Sequence, residues 1–201
     1  RHIHKLYYYK KCHVIGLDLS FDDLKVTYQG FETYPDITND PKRHFNLMAG
    51  NALSLPFKDE TFDGVWSVQT TQHIPDFEVV CKETFRVLKK KGVYWDYVLN
   101  NASLIRFIYK LFRIPYYLHD DIKGWFFLRR INDSVINTVT NVFNIKPSIK
   151  YSEILFTPDF NLPIGGKENS ILGKIDSLLV GNFNIWKLIA RQCSFHVQKN
   201  S

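Results

Sequence analysis

Cysteine is scarce in this chain. The 201 residues hold three, Cys12, Cys81 and Cys193, at spacings that match neither a disulfide framework nor a zinc site. They suit a reducing compartment, the cytoplasm by default, and read as small buried hydrophobes. Long apolar runs are missing too: Lys and Arg interrupt even the most hydrophobic region, so no stretch of about 18 to 20 residues offers a spanning helix. No charged-then-apolar leader stands at the start, so no signal peptide is in view. Basic residues are scattered or sit at helix ends, and a formal charge of +6 without a dense cluster gives no argument for nucleic acid. His2, His4, Cys12 and His13 lie near one another in sequence without a familiar zinc spacing, and no metal is expected. Internal repeats and low-complexity tracts are absent.

What is present is enough apolar material for one globular unit, with 45% hydrophobic residues. Residues 12 to 17 (CHVIGL) form a short, nearly continuous apolar run ending at Asp18, which predicts a strand buried on both faces. A helix follows, with Ser20 as its cap, Asp23 in capping-box spacing, and Leu24, Tyr28 and Phe31 at helical intervals. Gly30 and the stretch from Pro35 to Pro41 are expected to close it. Residues 45 to 49 and 62 to 68 predict two further strands, separated by a loop through Pro56. Pro75-Asp76 opens a second helix, with Asp76 as its cap and Phe77, Val80, Cys81, Thr84, Phe85 and Leu88 on one face. Lys89 to Lys91 would complement its dipole, and Gly92 would supply the left-handed stop before a strand at 93 to 99. Beyond it lie helical patterns near 103 to 113 and 170 to 180, strand-like runs near 149 to 156 and 183 to 190, and a Gly165-Gly166 break. Strands alternating with helices imply a doubly wound, mostly parallel α/β sheet with ligands at the carboxyl ends of the strands.

Several runs together resemble the class I S-adenosylmethionine-dependent methyltransferases of the small-molecule, "type 11" kind. VIGLDLS (14 to 20) looks like the family's second strand, and AGNALSLPFKDETFDGVWS (49 to 67) is similar to its G-D-A-x-x-L-P-F-x-D-x-x-F-D-x-V pattern. SVQTTQHIPDFEVVCKETFRVLKKKG (67 to 92) matches its fourth strand, the following loop with a His, and the helix ending in R-V-L-K-x-G-G. The resemblance implies a Rossmann-like fold and S-adenosyl-L-methionine as cofactor. It implies that Asp18, with Leu19 beside it, grips the ribose hydroxyls, a task two carboxylate oxygens can perform; Asp18 alone would also suit a turn. Asn51 and Ala52 would lie along the adenine, and Gln69 and Thr70 beside the methionine part. His73 faces the same mouth, where a base near neutral pH would be useful, while ordering the loop through hydrogen bonds is the commoner use of such a residue. Phe57, Phe62, Val65 and Trp66 read as core, and Asp63 as structural.

The sequence departs from the family in three places. Asn51 stands where Asp is usual, and Val93 where a second glycine is usual. The family's glycine loop is not in this chain: Arg1-His2-Ile3-His4 resembles the continuation directly after it, with residues 2 to 10 as the first helix. The expectation is therefore a partial methyltransferase domain over 1-201, a fragment of a longer product that lacks the first strand and is inactive alone.

After the fifth strand, 100-148 is expected to form a helical insert acting as a lid. Leu104, Ile105, Ile108, Leu111 and Phe112 fall on one helical stripe, with Arg106, Lys110 and Arg113 elsewhere, and Pro115, Tyr116, Tyr117, Trp125, Phe126 and Phe127 extend the aromatic enrichment before Arg129-Arg130. A lid over a hydrophobic or lipid-like acceptor, packing on the sheet, and peripheral contact with an anionic membrane are all compatible with this stripe. His119, Asp120 and Asp121 read as a polar surface loop, and either Asp96 or Tyr97 would point toward the acceptor. The function expected is methyl transfer to a small molecule, which requires alignment rather than a nucleophile motif. The alternative is a non-catalytic binding module or an inactive fragment on the same fold. RNA or protein methylation is disfavoured, because Ser67-Val68-Gln69-Thr70 is not the acidic-aromatic tetrapeptide of amino-methylating enzymes.

Overall fold

A computed structural model describes residues 12–33, 45–113, 121–122, 126–154, 171–181 and 183–200. The expected first helix at 2 to 10, the loop at Pro35 to Pro41, the residues from Pro115 to Asp120 and the Gly165-Gly166 break lie outside them. The chain divides into two compact units, Arg1–Pro56 and Phe57–Ser201.

In the first unit β1 (Val14–Asp18), α1 (Phe21–Glu32) and β2 (Phe45–Ala49) follow one another, and the two strands pair in parallel from Val14 opposite Phe45 to Asp18 opposite Ala49. A small core forms where Phe31 meets Phe45 at 4.7 Å between ring centroids, against Val14 and Leu47. The Ser20 hydroxyl caps α1 by accepting the Asp23 N–H at 3.2 Å. Gly30 lies within the helix, which continues to Glu32 and ends at Thr33, so it is not the terminator the sequence suggested. Tyr28 is exposed, leaving Phe31 as the residue that anchors the helix.

The second unit contains β3 (Phe62–Val68), a 3-10 turn (Thr71–His73), α2 (Phe77–Val87), β4 (Leu88–Leu99), α3 (Ser103–Leu111), β5 (Asp121–Ile122) and β6 (Phe126–Phe127). It continues with α4 (Asp133–Phe143), β7 (Ser148–Ser152), α5 (Ile171–Leu179), α6 (Trp186–Ile189) and β8 (Gln192–Gln198). The main sheet runs β3-β4-β8-β7, with β3 and β4 parallel and β8 antiparallel to both β4 and β7. The run at 183 to 190 therefore carries a short helix rather than a strand, and the strand in this region lies just beyond it.

Period-two alternation sorts β4 into two faces. Tyr94, Asp96 and Val98 are buried, as are Cys193, Phe195 and Val197 of β8. Aromatic contacts join Tyr94 to Phe143 at 6.1 Å and to Phe195 at 5.5 Å, and Phe85 to Phe143 at 5.3 Å, linking sheet, α4 and α2. On the other face Trp66 and Trp95 stack at 6.3 Å between centroids; Trp66 is 50% exposed, unlike the core residue expected from its strand. Cys81 and Cys193 are buried and Cys12 is exposed, so the hydrophobic role holds for two of the three thiols.

The join between α2 and β4 differs from expectation in chemistry as well as position. α2 stops at Val87 and β4 begins at Leu88. The left-handed residue is Lys91, with φ of 65°, and Gly92 serves a different need. A Cβ there would lie 2.9 Å from the Lys89 carbonyl oxygen and 3.2 Å from that of Phe62. Asp76 occupies the cap position of α2 without a side-chain capping bond. At the other end the dipole is met by Lys199, whose buried ammonium donates to the carbonyls of Phe85 at 2.9 Å and Leu88 at 2.7 Å, while Lys89 pairs with Asp63.

Candidate functional site

Parallel pairing in the first unit brings the ends of β1 and β2 side by side: the Asp18 carbonyl accepts the Gly50 N–H at 2.9 Å. The sequence-predicted residues Asp18 and Leu19 thus neighbour Asn51 and Ala52. Asp18 is exposed, and its Oδ1 accepts the Ser20 N–H at 2.9 Å, so it does begin a turn. A carboxylate offers about four acceptor sites, and one turn bond leaves capacity for a vicinal diol. The Asn51 Oδ1 accepts the Leu53 N–H at 2.9 Å, and its backbone carbonyl accepts the Ser54 N–H. That bond explains why Asn and Asp are interchangeable for the turn: either side-chain oxygen closes it. The exposed Asn51 amide keeps its nitrogen as a donor.

In the second unit the loop after β3 gathers Gln69, Thr70 and His73. Gln69 adopts a left-handed backbone, φ 53°, while its N–H donates to the Tyr97 carbonyl at 2.7 Å. A non-glycine residue in this region is a local strain of the kind concentrated at ligand-binding loops. Thr70 donates its hydroxyl to the Val68 carbonyl, and both Gln69 and Thr70 are exposed. His73 is held at both ring nitrogens: Nδ1 lies 3.0 Å from the Phe127 carbonyl oxygen and so carries the donated proton, leaving Nε2 to accept from the Gln72 amide at 3.2 Å. Gln72 in turn accepts the Leu99 N–H at 3.0 Å. These bonds perform the loop-ordering task.

Sequence reasoning left open whether Asp96 or Tyr97 points toward the acceptor, and the alternation of β4 separates them. Tyr97 bonds Ser152 through its hydroxyl at 3.0 Å. Asp96 is fully buried, accepting the hydroxyls of Thr71 at 2.5 Å and Tyr94 at 2.9 Å. Burial pushes its carboxyl from the usual 3.8 up to about 6, with the bonds from Thr71 and Tyr94 and the nearby Arg129 charge pulling the other way. Burial likewise pushes the Cys81 thiol up to about 12, with Asp96 adding to the shift.

Arg129 was not singled out for a site. Its N–H donates to the Gln72 carbonyl at 2.7 Å, Nη2 to Thr71 at 2.6 Å and Nη1 to Pro75 at 3.1 Å. Its guanidinium also lies 4.5 Å from the Phe77 ring centroid and 5.5 Å from that of Phe127. Its only sequence signal was position beside Arg130 in an aromatic stretch. Among the described residues no group of three His, Cys, Asp or Glu side chains is placed to hold a metal, and His2, His4 and His119 lie outside them.

Comparison with known proteins adds to this geometry. The methyltransferase-domain family matches residues 2–95. Residues 2–95 are similar to that family, and the chain has the Rossmann-like α/β fold of solved S-adenosylmethionine-dependent methyltransferases. The chain is 45% identical over 60 residues to 24-methylenesterol C-methyltransferase 2 of Oryza sativa subsp. japonica, covering 30% of this chain and 16% of that protein. It is 40% identical over 80 residues to demethylmenaquinone methyltransferase of Lysinibacillus sphaericus, covering 40% of this chain and 31% of that protein. These matches span less than a third of either curated relative. A solved S-adenosylmethionine-dependent methyltransferase of Thermotoga maritima, described as a possible histamine N-methyltransferase, superposes with a TM-score of 0.61 at 17% identity. That alignment covers 92% of this chain and 72% of the other, and it shows that the two share a fold. No described helix is long and apolar enough to cross a membrane.

Proposed function

We propose that this chain supplies methyl transfer from S-adenosylmethionine to a small, hydrophobic acceptor, in the cytoplasm. The observation that carries the reading is the pair of adjacent parallel strand ends in the first unit. They present an exposed carboxylate at Asp18 and an exposed amide at Asn51, donor and acceptor types suited to a ribose diol and an adenine edge. The curated relatives that act on a sterol and a quinone precursor favour a hydrophobic acceptor.

S-adenosylmethionine, when bound, supplies an electrophilic methyl group on a sulfonium for in-line displacement. In this reading Asp18 accepts from the ribose hydroxyls, with Leu19 covering that side; Asn51 and the Ala52 backbone border the adenine. Gln69 and Thr70 border the methionine portion. His73 is the general base in this reading: to accept a proton at Nε2 it would release the Gln72 amide while Nδ1 stays bonded to Phe127. The insert 100-148 covers the acceptor and excludes water, a requirement of alignment-driven transfer. Peripheral contact with an anionic membrane is the second reading for this insert, favoured by the exposed Phe107, Leu111 and Phe112 beside Lys110 and Arg113.

Isothermal titration with S-adenosylmethionine tests the main reading. Binding by the wild-type chain that is abolished in Asp18→Ala supports it. No heat with wild type favours the alternative of a non-catalytic module or an inactive fragment, and equal binding by the variant removes Asp18 from the cofactor site.

A further inference from the structure

We propose that Arg129 is a positioning residue for the loop after β3, fastening the segment that follows β6 to the 3-10 turn and the residues leading into α2 through three backbone carbonyls, at Thr71, Gln72 and Pro75. This rests on the reading that the loop borders the cofactor, and it extends that reading by naming what fixes the loop.

The argument begins with geometry that only one side-chain type satisfies. The two guanidinium nitrogens reach carbonyls four residues apart, Thr71 at 2.6 Å and Pro75 at 3.1 Å, while the Arg129 backbone holds the carbonyl of the residue next to Thr71, Gln72, at 2.7 Å. A guanidinium presents several donors in a rigid planar fork, whereas an ammonium is a point charge on a flexible stem. The flat faces are used as well: Arg129 lies over Phe77, the first residue of α2, at 4.5 Å and near Phe127 at 5.5 Å. One side chain therefore grips the turn, the start of the next helix and its own strand end.

The bonds run in both directions. Phe127, two residues before Arg129, accepts from His73 at 3.0 Å, so the turn and the segment after β6 hold each other at two separate points. Asp96 lies beneath, bonded to the hydroxyl of the same Thr71 whose carbonyl Arg129 takes. Burial holds the Arg129 guanidinium below its ordinary pKa, and the negative charge of Asp96 opposes that shift. Thr71 is fixed from its side chain by β4 and from its backbone by Arg129. The exposed Gln69 and Thr70, immediately before it, consequently leave β3 along a set path.

Hydrogen exchange of the unliganded chain tests this directly, because His73 and Ile74 donate their amides within the turn, to Thr70 and Thr71. In Arg129→Gln those two amides should exchange about tenfold faster or more, as expected for loss of charge-assisted bonds, while amides of β4 and α2 keep wild-type rates. Arg129→Lys should loosen the turn as well, since one ammonium cannot span Thr71 and Pro75; it also carries the test if the Gln variant fails to fold. Affinity for S-adenosylhomocysteine should fall in both variants without a matching drop in melting temperature. Unchanged exchange at His73 and Ile74, or acceleration spread evenly over the chain, overturns the proposal. If the turn loosens but the wild-type chain gives no heat with S-adenosylhomocysteine, the fastening stands and the cofactor reading falls.

Discussion

The hydroxyl of Thr71 donates to the carboxylate of Asp96 over 2.5 Å, and both residues are buried. The bond ties the loop that follows β3 to the middle of β4. It also places an ionisable group where burial outweighs hydrogen bonding, which has consequences for stability.

Asp96 should make stability fall as pH rises. Its folded-state carboxyl titrates at about 6, above the ordinary 3.8. Between those values the folded chain holds a proton that the unfolded chain has released, so each step up in pH favours unfolding. Above the window the buried carboxylate costs about 3 kcal/mol relative to its protonated form. Asp96→Asn carries no titrating proton. In urea denaturation, the stability of wild type minus that of the variant should shift against wild type by about that amount between pH 4 and pH 7.5. Parallel profiles for the two proteins would show that Asp96 keeps an ordinary carboxyl.

Lys91 and Gly92 should respond oppositely to substitution. Lys91 occupies the left-handed region, which costs a residue with a Cβ about 1–2 kcal/mol. Lys91→Gly should therefore stabilise the chain by about 1 kcal/mol, after allowing for the freer unfolded state. At Gly92 the obstacle is space, because an added Cβ meets two backbone carbonyls that cannot rotate away. Gly92→Ala should destabilise by about 2 kcal/mol. Denaturation midpoints that move the same way for both would contradict this division of labour.

These two positions also mark how far the sequence could be read. The strand ending at Asp18, the helix after Ser20 and the helix after Asp76 were legible because short apolar runs, capping residues and helical spacing are local signals. The pairing of Asp18 with the turn at Asn51 followed from alternating strands and helices. Lys91 was missed because glycine is the usual left-handed residue, so the adjacent Gly92 drew the assignment. The run from 183 to 190 lacks a long enough period to separate helix from strand, whereas β8 does carry a local signal, Cys193, Phe195 and Val197 alternating with Ser194, His196 and Gln198, that the reading passed over. Asp96 and Arg129 depend on partners far away in sequence: Thr71 is 25 residues from Asp96 and 58 from Arg129. No local pattern encodes such contacts.

Lys199 should prove structural despite lying near the chain's end. Its ammonium is almost wholly buried, donates to the Phe85 carbonyl in the last turn of α2 and to the Leu88 carbonyl just after it, and sits 4.5 Å from the Phe85 ring centroid. Replacing it with Met keeps much of the apolar stem and removes both bonds, leaving two carbonyls without their donor. Stability should fall by about 1.5–3 kcal/mol, the range for hydrogen bonds to a charged group. A change below about 0.5 kcal/mol, ordinary for surface substitutions, would mean that water replaces the ammonium freely.

The exposed side of α3 separates the two readings of the insert. Phe107 is 62% exposed and Phe112 67%, with Leu111 similarly open, whereas Tyr109 is buried against the unit. The helix thus keeps one anchor inward and turns large apolar groups outward, with Arg106, Lys110 and Arg113 as its charged residues. If this side enters a membrane interface, the chain should float with vesicles containing phosphatidylserine and not with purely zwitterionic ones. Phe107→Glu with Leu111→Glu should abolish flotation by adding negative charge and removing apolar area, without changing the melting temperature, since both side chains are already in water. High salt should weaken binding, because the Debye length shrinks to about 3 Å at 1 M. A wild-type chain that stays at the bottom of the gradient with every vesicle would remove the membrane reading and leave the proposed cover over the acceptor untouched.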